Sequence, residues 1–336
     1  MTRVRFAPSP TGTLHIGSGL SAVANRTFGD AMLLRIDDTD PSRNVPGGEE
    51  EILEDLRWLG VDWDEGPVRQ SERADRYREV AASLPQRFEG ATLWRDDGSA
   101  TYQLASVVDD GDFEITHVIR GNDHRPNEAL QRALHGALGT RSPEYVYHGL
   151  ILGPDGKKLS KRAQGATVAS LRDEGIPAEA VHAYLDELGL PKHDVHLDLA
   201  RIRSLAVDVL SALSDEELAE RVGVPVAVAP ALRGAHSLVE ARELAATILD
   251  APSVSLPEER LTLERFRELL VRANGGLDKE GARRVLRELK AVGGNLRAVR
   301  RALTGRESGP ELWAVIAALP RDEAVRRIDA AMGAGA

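Results

Sequence analysis

The sequence predicts an α/β protein: an open parallel sheet followed by all-α domains. Three observations predict it. Residues 1–69 alternate strand-forming and helical stretches, and a second alternating half runs from about Tyr102 to Leu152, the pattern of an open parallel sheet. The run Arg5-Phe6-Ala7-Pro8-Ser9-Pro10-Thr11-Gly12-Thr13-Leu14-His15-Ile16-Gly17-Ser18 joins a strand to a helix through a stiffened turn. From about residue 166 onward, apolar residues recur at helical spacing.

Taken in order, Val4 and Phe6 are strand-formers, and Pro8 and Pro10 stop that strand. Leu20, Val23, Ala24 and Phe28 give the next segment one apolar helical face. Gly17 and Gly19 let backbone lie close to a ligand. Such a turn aims free backbone N–H groups and a helix N-terminus at an anion, usually phosphate, and His15 sits where it can donate to it. Ala31 to Ile36 reads as a buried strand. Glu49-Glu50-Glu51 opens the following helix, favoured by its dipole, with Ile52, Leu53, Leu56 and Leu59 inward. Ala74 to Leu84 reads as a helix, Asp96-Asp97-Gly98 as a turn, and Tyr145 to Leu152 as one apolar strand. Ligands of such sheets bind outside the carboxyl ends of the strands, where strand order reverses, so the Pro8–Gly17 turn is expected there.

Further on, Leu171, Val181, Tyr184, Leu185 and Leu188 suit amphipathic helices interrupted at Gly175-Ile176-Pro177, and Val222 to Leu232 reads as a connector. The end of the chain reads as a helix bundle with Leu261, Phe266, Leu269, Leu270, Val285, Leu286, Leu289, Leu303, Leu312, Trp313, Ile316 and Leu319 as its core.

A chain of 336 residues allows two or three domains and a well-buried core. No apolar run approaches the ~20 residues of a membrane span, and the N-terminus lacks an apolar signal segment; a cytoplasmic protein without membrane contact is expected. The absence of cysteine excludes disulfides and a thiolate zinc site, and the nine histidines form no close ligand pair. A net charge of −10 argues against indiscriminate nucleic-acid binding. The sign is uneven, however: residues 251–336 carry 16 Lys and Arg against 12 Asp and Glu, and a basic end on an acidic body suggests a local polyanion contact.

The second anchor is Asp155-Gly156-Lys157-Lys158-Leu159-Ser160-Lys161-Arg162, a Gly-flanked loop with four cations in six residues. Alone it would read as a solvated basic loop. With the first run it resembles the HIGH and KMSKS signatures of class I aminoacyl-tRNA synthetases, here His15-Ile16-Gly17-Ser18 and Lys158-Leu159-Ser160-Lys161-Arg162. Between them stand Arg35-Ile36-Asp37-Asp38-Thr39-Asp40, Gln70-Ser71-Glu72-Arg73, Thr101-Tyr102-Gln103-Leu104-Ala105, Val107-Val108-Asp109-Asp110 and His117-Val118-Ile119-Arg120-Gly121. Their order and wording resemble the glutamyl-tRNA synthetase family. The resemblance covers about the first 190 residues and returns at Ala302-Leu303-Thr304-Gly305-Arg306 and Gly309-Pro310-Glu311-Leu312.

The resemblance implies a Rossmann-like catalytic domain over 1–165, a helical linker domain over 166–250 and an anticodon-binding-like bundle over 251–336. Only 27 residues separate Arg73 from Thr101, where the family carries a much longer insertion that grips the acceptor end of tRNA, so the insertion near 74–100 is shortened. The implied activity is that of an ATP-dependent glutamate–tRNA ligase. It activates glutamate to glutamyl-adenylate and transfers it to the 3′ end of tRNA, with ATP, glutamate and tRNA as partners, Mg2+ accompanying ATP, and no zinc. Oligomeric state is not readable. Two other readings stay open: a synthetase-derived ligase loading glutamate onto a modified tRNA base, carrier protein or small amine, and a catalytically silent RNA-binding protein.

Carried over position by position, His15, Lys158 and Lys161 take the catalytic roles. His15, Gly17, Asp123, Ile151, Lys158, Ser160 and Lys161 take the nucleotide, and Arg5, Ser9, Asp37, Tyr102, Ser106 and Arg120 the glutamate. Asp37 and Ser106 depart from the glutamate and asparagine common at those positions. A guanidinium suits a carboxylate through paired N–H donors. Asp109 and Asp110 have the look of an acid/base pair but better suit bracing the sheet end and the basic loop. Arg297, Arg300 and Arg301 share one helical face by their spacing and are the expected tRNA contacts.

Overall fold

Strand β1 (Arg3–Phe6) forms where Val4 and Phe6 predict it. Helix α1 (Ile16–Phe28) follows the Pro8–His15 turn and leads to β2 (Ala31–Ile36), six buried residues parallel to β1, with Arg3 opposite Ala31 and Phe6 opposite Leu34. Helix α2 (Gly48–Trp58) leads to β3 (Glu65–Arg69), parallel to β2. Next come α3 (Ala74–Ala81) and a two-stranded hairpin, β4 (Arg87–Phe88) with β5 (Ala91–Thr92). The second half is α4 (Tyr102–Asp112), β6 (His117–Gly121), α5 (Glu128–Leu138) and β7 (Glu144–His148), with β6 and β7 parallel. The two parallel pieces adjoin where the Thr116 N–H donates to the Arg3 carbonyl at 2.9 Å and the Arg3 N–H to the Thr116 hydroxyl at 2.8 Å. The order is therefore β3-β2-β1 followed by β6-β7, and it reverses between β1 and β6.

This is a computed structural model, and it describes residues 1–157, 159, 164–273 and 277–333. The chain divides into two compact units, Met1–Asp173 with Ala178–Ile202, and Glu174–Pro177 with Arg203–Ala336. The first unit is completed by β8 (Ile151–Leu152), α6 (Val168–Asp173), α7 (Ala178–Leu188) and β9 (Val195–His196), which pairs in parallel with β8. The boundary between these two units falls within α8 (Leu199–Ala212).

The second unit is helical: α9 (Asp215–Val222), α10 (Leu238–Leu249), α11 (Arg260–Arg272), α12 (Lys279–Ala291), α13 (Leu296–Thr304), α14 (Leu312–Ala318) and α15 (Arg321–Ala331). Its helices share one core, in which Leu210, Leu218, Val228 and Ile248 meet Phe266, Val299, Ile316 and Ile328. Helices α9 and α10 therefore pack as one body with α11 to α15. Local signals agree with it: Ser214 and Glu217 form a reciprocal capping box, and Asp278 and Asn295 cap α12 and α13. Buried Arg327 donates to the carbonyls of Ile248 and Leu303, both at 2.7 Å, placing a cation at the carboxyl ends of α10 and α13, where the helix dipole favours it.

Several sequence expectations change. Val222 to Leu232 is not a bare connector, because Val228, Ala229 and Leu232 are fully buried in the common core. Leu261 lies on the outer face of α11 at 84% exposure, whereas Phe266, Leu269 and Leu270 point inward as expected. Helix α3 stops at Ala81 rather than Leu84. The expected strand Tyr145 to Leu152 breaks into β7 and β8 at Gly149 and Leu150. There the Gly149 N–H donates to the Pro191 carbonyl at 2.7 Å, and a Cβ on Gly149 would stand 2.0 Å from the His193 carbonyl oxygen. Among the described residues, no helix is long and apolar enough to cross a membrane.

The break at Gly149 makes a stability prediction. Gly149→Ala should destabilise the fold by about 1–3 kcal/mol, because backbone rather than a yielding side chain occupies the space. Urea unfolding that shows no loss would mean the 191–194 segment can move away freely.

Candidate functional site

The turn after β1 is held from several sides. The Asp55 carboxylate on α2 accepts from the Thr13 hydroxyl at 2.6 Å and the Leu14 N–H at 2.8 Å. The Pro8 carbonyl accepts from the Asp37 N–H and the Pro10 carbonyl from the Val45 N–H, both at 2.9 Å. At the start of α1, the His15 Nδ1 accepts from the Gly17 N–H at 3.2 Å, and its Nε2 lies 3.2 Å from the Leu159 carbonyl. With Nδ1 as acceptor, the proton sits on Nε2. The helix N-terminus is not a set of free donors: Ile16 N–H donates to the Ala166 carbonyl and Ser18 N–H to that of His15, because a buried helix end must satisfy its orphan N–H groups. Gly19 serves packing, since a Cβ there would meet Leu185 at 3.3 Å; a Cβ on Gly17 would touch only His15.

This turn walls a cavity of about 690 Å3 at the carboxyl ends of β1 and β6, the crevice expected from the strand order. Arg5, Ser9, Asp37, Tyr102 and Arg120 line it, and so do His15, Gly17, Asp123 and Ile151. The residues expected to hold an amino acid and those expected to hold a nucleotide thus share one space. Ser106 does not line it. Its hydroxyl is buried on the inner face of α4, 3.4 Å from Arg35, because serine is too short to reach past that guanidinium. Lys158, Ser160 and Lys161 lie outside the described residues; Leu159, between them, lines the cavity.

Beneath the cavity is a buried charge network that the sequence reading missed. Arg35 is fully buried. It bonds to both oxygens of Asp37, at 2.6 and 3.2 Å, and to Asp110 at 2.9 Å, with Asp109 at 3.6 Å. Burial alone would lower the Arg35 pKa, but these three carboxylates outweigh it and hold it well above the ordinary value. Burial pushes the Asp37 carboxyl up, against the pull of Arg35. Asp109 also accepts from Gln70 at 2.9 Å, Arg73 at 2.7 Å and the Tyr77 hydroxyl at 2.9 Å. Asp109 and Asp110 therefore brace arginines at the sheet end and are not a proton-transfer pair. Breaking a buried pair of this kind typically costs about 3–5 kcal/mol.

The two arginines facing the cavity are compensated differently. Arg5 meets Asp110 through Nε at 3.3 Å, and no other partner bonds to it among the described residues. Arg120, 6% exposed, meets no carboxylate among the described residues. Its nitrogens donate to the Tyr102 hydroxyl at 3.3 Å, the Tyr147 hydroxyl at 3.3 Å and the Gln131 Oε1 at 2.9 Å, and its Nε is buried without a partner. The rings of Tyr145 and Tyr147 lie 5.1 and 5.6 Å from it, and each ring also faces a second arginine, Arg132 or Arg125. The result is a desolvated cation with only neutral contacts, next to a second cation with spare donors. That arrangement suits an acidic ligand.

At the other end of the cavity, the N–H groups of Val195 in β9 and of Leu197 just after it donate to the Leu150 and Leu152 carbonyls. Strand geometry therefore turns the Ile151 N–H and C=O to the opposite side. His148, which the sequence reading did not single out, is buried beside the α1 N-terminus. Its Nε2 lies 2.8 Å from the Ser21 hydroxyl and its Nδ1 2.8 Å from the Gly149 carbonyl. In the helical unit, Arg300 donates to the Pro310 carbonyl, and burial lowers its pKa. It is thus engaged within the fold, while Arg297 is exposed and Arg301 lies 4.0 Å from Glu307.

Tyr145, Tyr147, Gln103 and Gln131 were also missed. The i, i+2 alternation of tyrosines before His148 was the available signal, since it places both rings on one face of a strand.

Residues 1–87 and 83–215 match the profile of the tRNA synthetases class I (E and Q), catalytic domain. The two segments meet at 83–87, inside the short stretch between Arg73 and Thr101. Glutamate–tRNA ligase 1 of Rubrobacter xylanophilus is 43% identical over 229 residues, 56% of this chain and 53% of that protein, so the chain spans about half that relative's length. Glutamate–tRNA ligase 1 of Methylorubrum extorquens is 31% identical over 462 residues, taking in 96% of this chain and 97% of that one. That alignment is longer than the 336-residue chain and bridges long stretches it lacks. A crystal structure of a glutamate tRNA ligase from Elizabethkingia meningosepticum in complex with its amino acid has the same fold, with a TM-score of 0.81 at 23% identity over 99% of both chains.

The buried imidazoles give a pH prediction. Burial holds His148 and His135 below the ordinary histidine value of 6.5. As pH falls, the unfolded chain binds these protons first, so stability is complete above that value and declines below it. Urea unfolding should show stability falling from pH 7 to pH 5, with a shallower decline in His148→Gln; equal slopes would exclude His148 as a contributor.

Proposed function

The chain belongs to the class I tRNA synthetases (E and Q), and on that premise we infer that it is a cytoplasmic glutamate–tRNA ligase. The observation that carries this reading is Arg120, a buried guanidinium with no carboxylate partner among the described residues, in the same cavity as Arg5 and the His15–Gly17 turn. Glutamate brings two carboxylates and one ammonium. Arg120, with Tyr102, takes one carboxylate and Arg5 orients the other, while Ser9 and the cavity side of Asp37 take the ammonium. ATP enters as its magnesium complex. Its adenine meets the free edge of Ile151, its ribose Asp123, and its phosphates the His15 Nε2 proton that now points at the Leu159 carbonyl, passing close over Gly17, which has no side chain and whose N–H stays on His15 Nδ1.

The glutamate α-carboxylate attacks the α-phosphate, the bond to the bridging oxygen breaks, and pyrophosphate leaves with the developing charge. Lys158, Ser160 and Lys161 are assigned to that charge, since interactions strongest in the transition state raise the rate. The 3′-terminal ribose hydroxyl of tRNA then displaces AMP. The family membership and the basic stretch in the helical unit support tRNA as the acceptor, with Arg297 and Arg301 on its phosphates and Arg300 behind them.

Two measurements test this reading. Incubated with labelled glutamate, MgATP and total tRNA, the protein should put label on the 3′ end as an alkali-labile ester. Alkali-stable label would assign a modified base as acceptor, and no AMP formed from glutamate would refute the activity. Binding of tRNA should weaken steeply with salt, and Arg297→Ala with Arg301→Ala should lower the logarithmic salt slope by about 2. An unchanged slope in filter binding would make these arginines a solvated face.

A further inference from the structure

Gln131 lies on α5 behind Arg120, 2% exposed and outside the cavity lining. Its Oε1 accepts from Arg120 Nη2 at 2.9 Å, and its amide N–H donates to Gln103 Oε1 at 3.2 Å. The Gln103 amide donates in turn to Asn127 Oδ1 at 2.9 Å. This row of three amides is neutral and fixes which end of Gln131 faces the guanidinium. The neighbouring carboxylates are committed elsewhere: Asp110 to Arg35 and Arg5, and Glu128 to Arg132, with the Tyr147 hydroxyl between Glu128 and Arg120.

Elsewhere in this unit the fold compensates an enclosed guanidinium with carboxylates, as at buried Arg35 and half-buried Arg73. Only one atom separates the amide at position 131 from a carboxylate. A glutamate there has the same shape, would accept the same bond, and would bind the guanidinium more strongly. It would also neutralise the charge that faces the cavity.

We propose that Gln131 keeps Arg120 uncompensated and thereby sets the site's preference for a substrate bearing a free carboxylate. It is a specificity-determining positioning residue that never touches the substrate. The proposal rests on the glutamate reading above and deepens it: selectivity lies in the neutrality of the row behind the arginine as well as in the arginine itself.

The test compares Gln131→Glu with Gln131→Met in ATP–pyrophosphate exchange with tRNA present, alongside thermal unfolding. Gln131→Glu keeps the bond to Arg120 and exchanges its donor to Gln103 for an acceptor, which Gln103 meets by turning its amide; it should stay folded and melt above Gln131→Met, yet raise the KM for glutamate about tenfold or more, with the KM for ATP unchanged. It should also narrow the preference for glutamate over glutamine. Gln131→Met loses the bond but not the free charge, so its KM should rise less. A purely structural role predicts the reverse ranking, with Met the worse variant, and that result overturns the proposal, as does an unchanged KM in Gln131→Glu. If wild type releases no pyrophosphate with glutamate, the functional reading fails and this proposal with it. Glutamate-dependent wild-type exchange with the ranking reversed defeats the proposal alone.

Discussion

A guanidinium taken out of water needs either a counter-charge or a set of acceptors that replaces its hydration. This requirement organises the catalytic unit. From the back of the site to the front, compensation falls in steps. Among the described residues Arg35 faces three carboxylates, Arg5 one at the long distance of 3.3 Å, and Arg120 none. The back is saturated and rigid. The front is held by hydroxyls, one amide and two aromatic faces, which satisfy a guanidinium's geometry without cancelling its charge. On the proposed reading an entering anion removes the mismatch, so that the cost of burying Arg120 becomes affinity for the ligand.

Many of the signature residues never reach the cavity. Ser71 binds Asp38 through both its N–H and its hydroxyl, at 2.7 and 2.6 Å. Gln70, Arg73 and Tyr77 converge on Asp109, and Asp55 holds the turn before α1. These contacts join the loops after β1, β2 and β3 to α4, fixing the carboxyl ends of the strands relative to one another. A site built from residues on several elements needs such a brace, because small misplacements are costly where charge must be met at a defined point.

The sequence made the chain's architecture legible wherever periodicity was strong. Strand β2 falls at Ala31–Ile36 as read, and the breaks around Gly175-Ile176-Pro177 separate α6 from α7. Most cavity residues were legible too, because the motifs that carry them are contiguous. Three kinds of feature were not. A network such as Arg35 with Asp109 joins positions far apart in sequence, and no local pattern announces it. Backbone proximity, as at Gly149, depends on a segment some forty residues away. Apolar periodicity shows that a helix has a face but not how wide that face is, so it puts Leu261 inside, whereas Leu263 and Phe266 are the residues of that turn of α11 that are buried.

Aspartate at position 37 shifts the balance among the groups proposed to hold the substrate. Its carboxylate is already shared with Arg35 through two bonds, yet it lines the cavity. A carboxylate has about four lone-pair positions, so an ammonium can be accepted on the open side without breaking the pair with Arg35. That attraction is weakened, because the same negative charge is already partly neutralised by a guanidinium 2.6 Å away, and the side chain is one methylene shorter than glutamate. On the proposed reading, recognition of the substrate's ammonium is correspondingly modest, and discrimination falls more heavily on the carboxylates, where Arg5 and above all Arg120 hold charge in reserve. The strength of the site therefore lies where compensation is least complete.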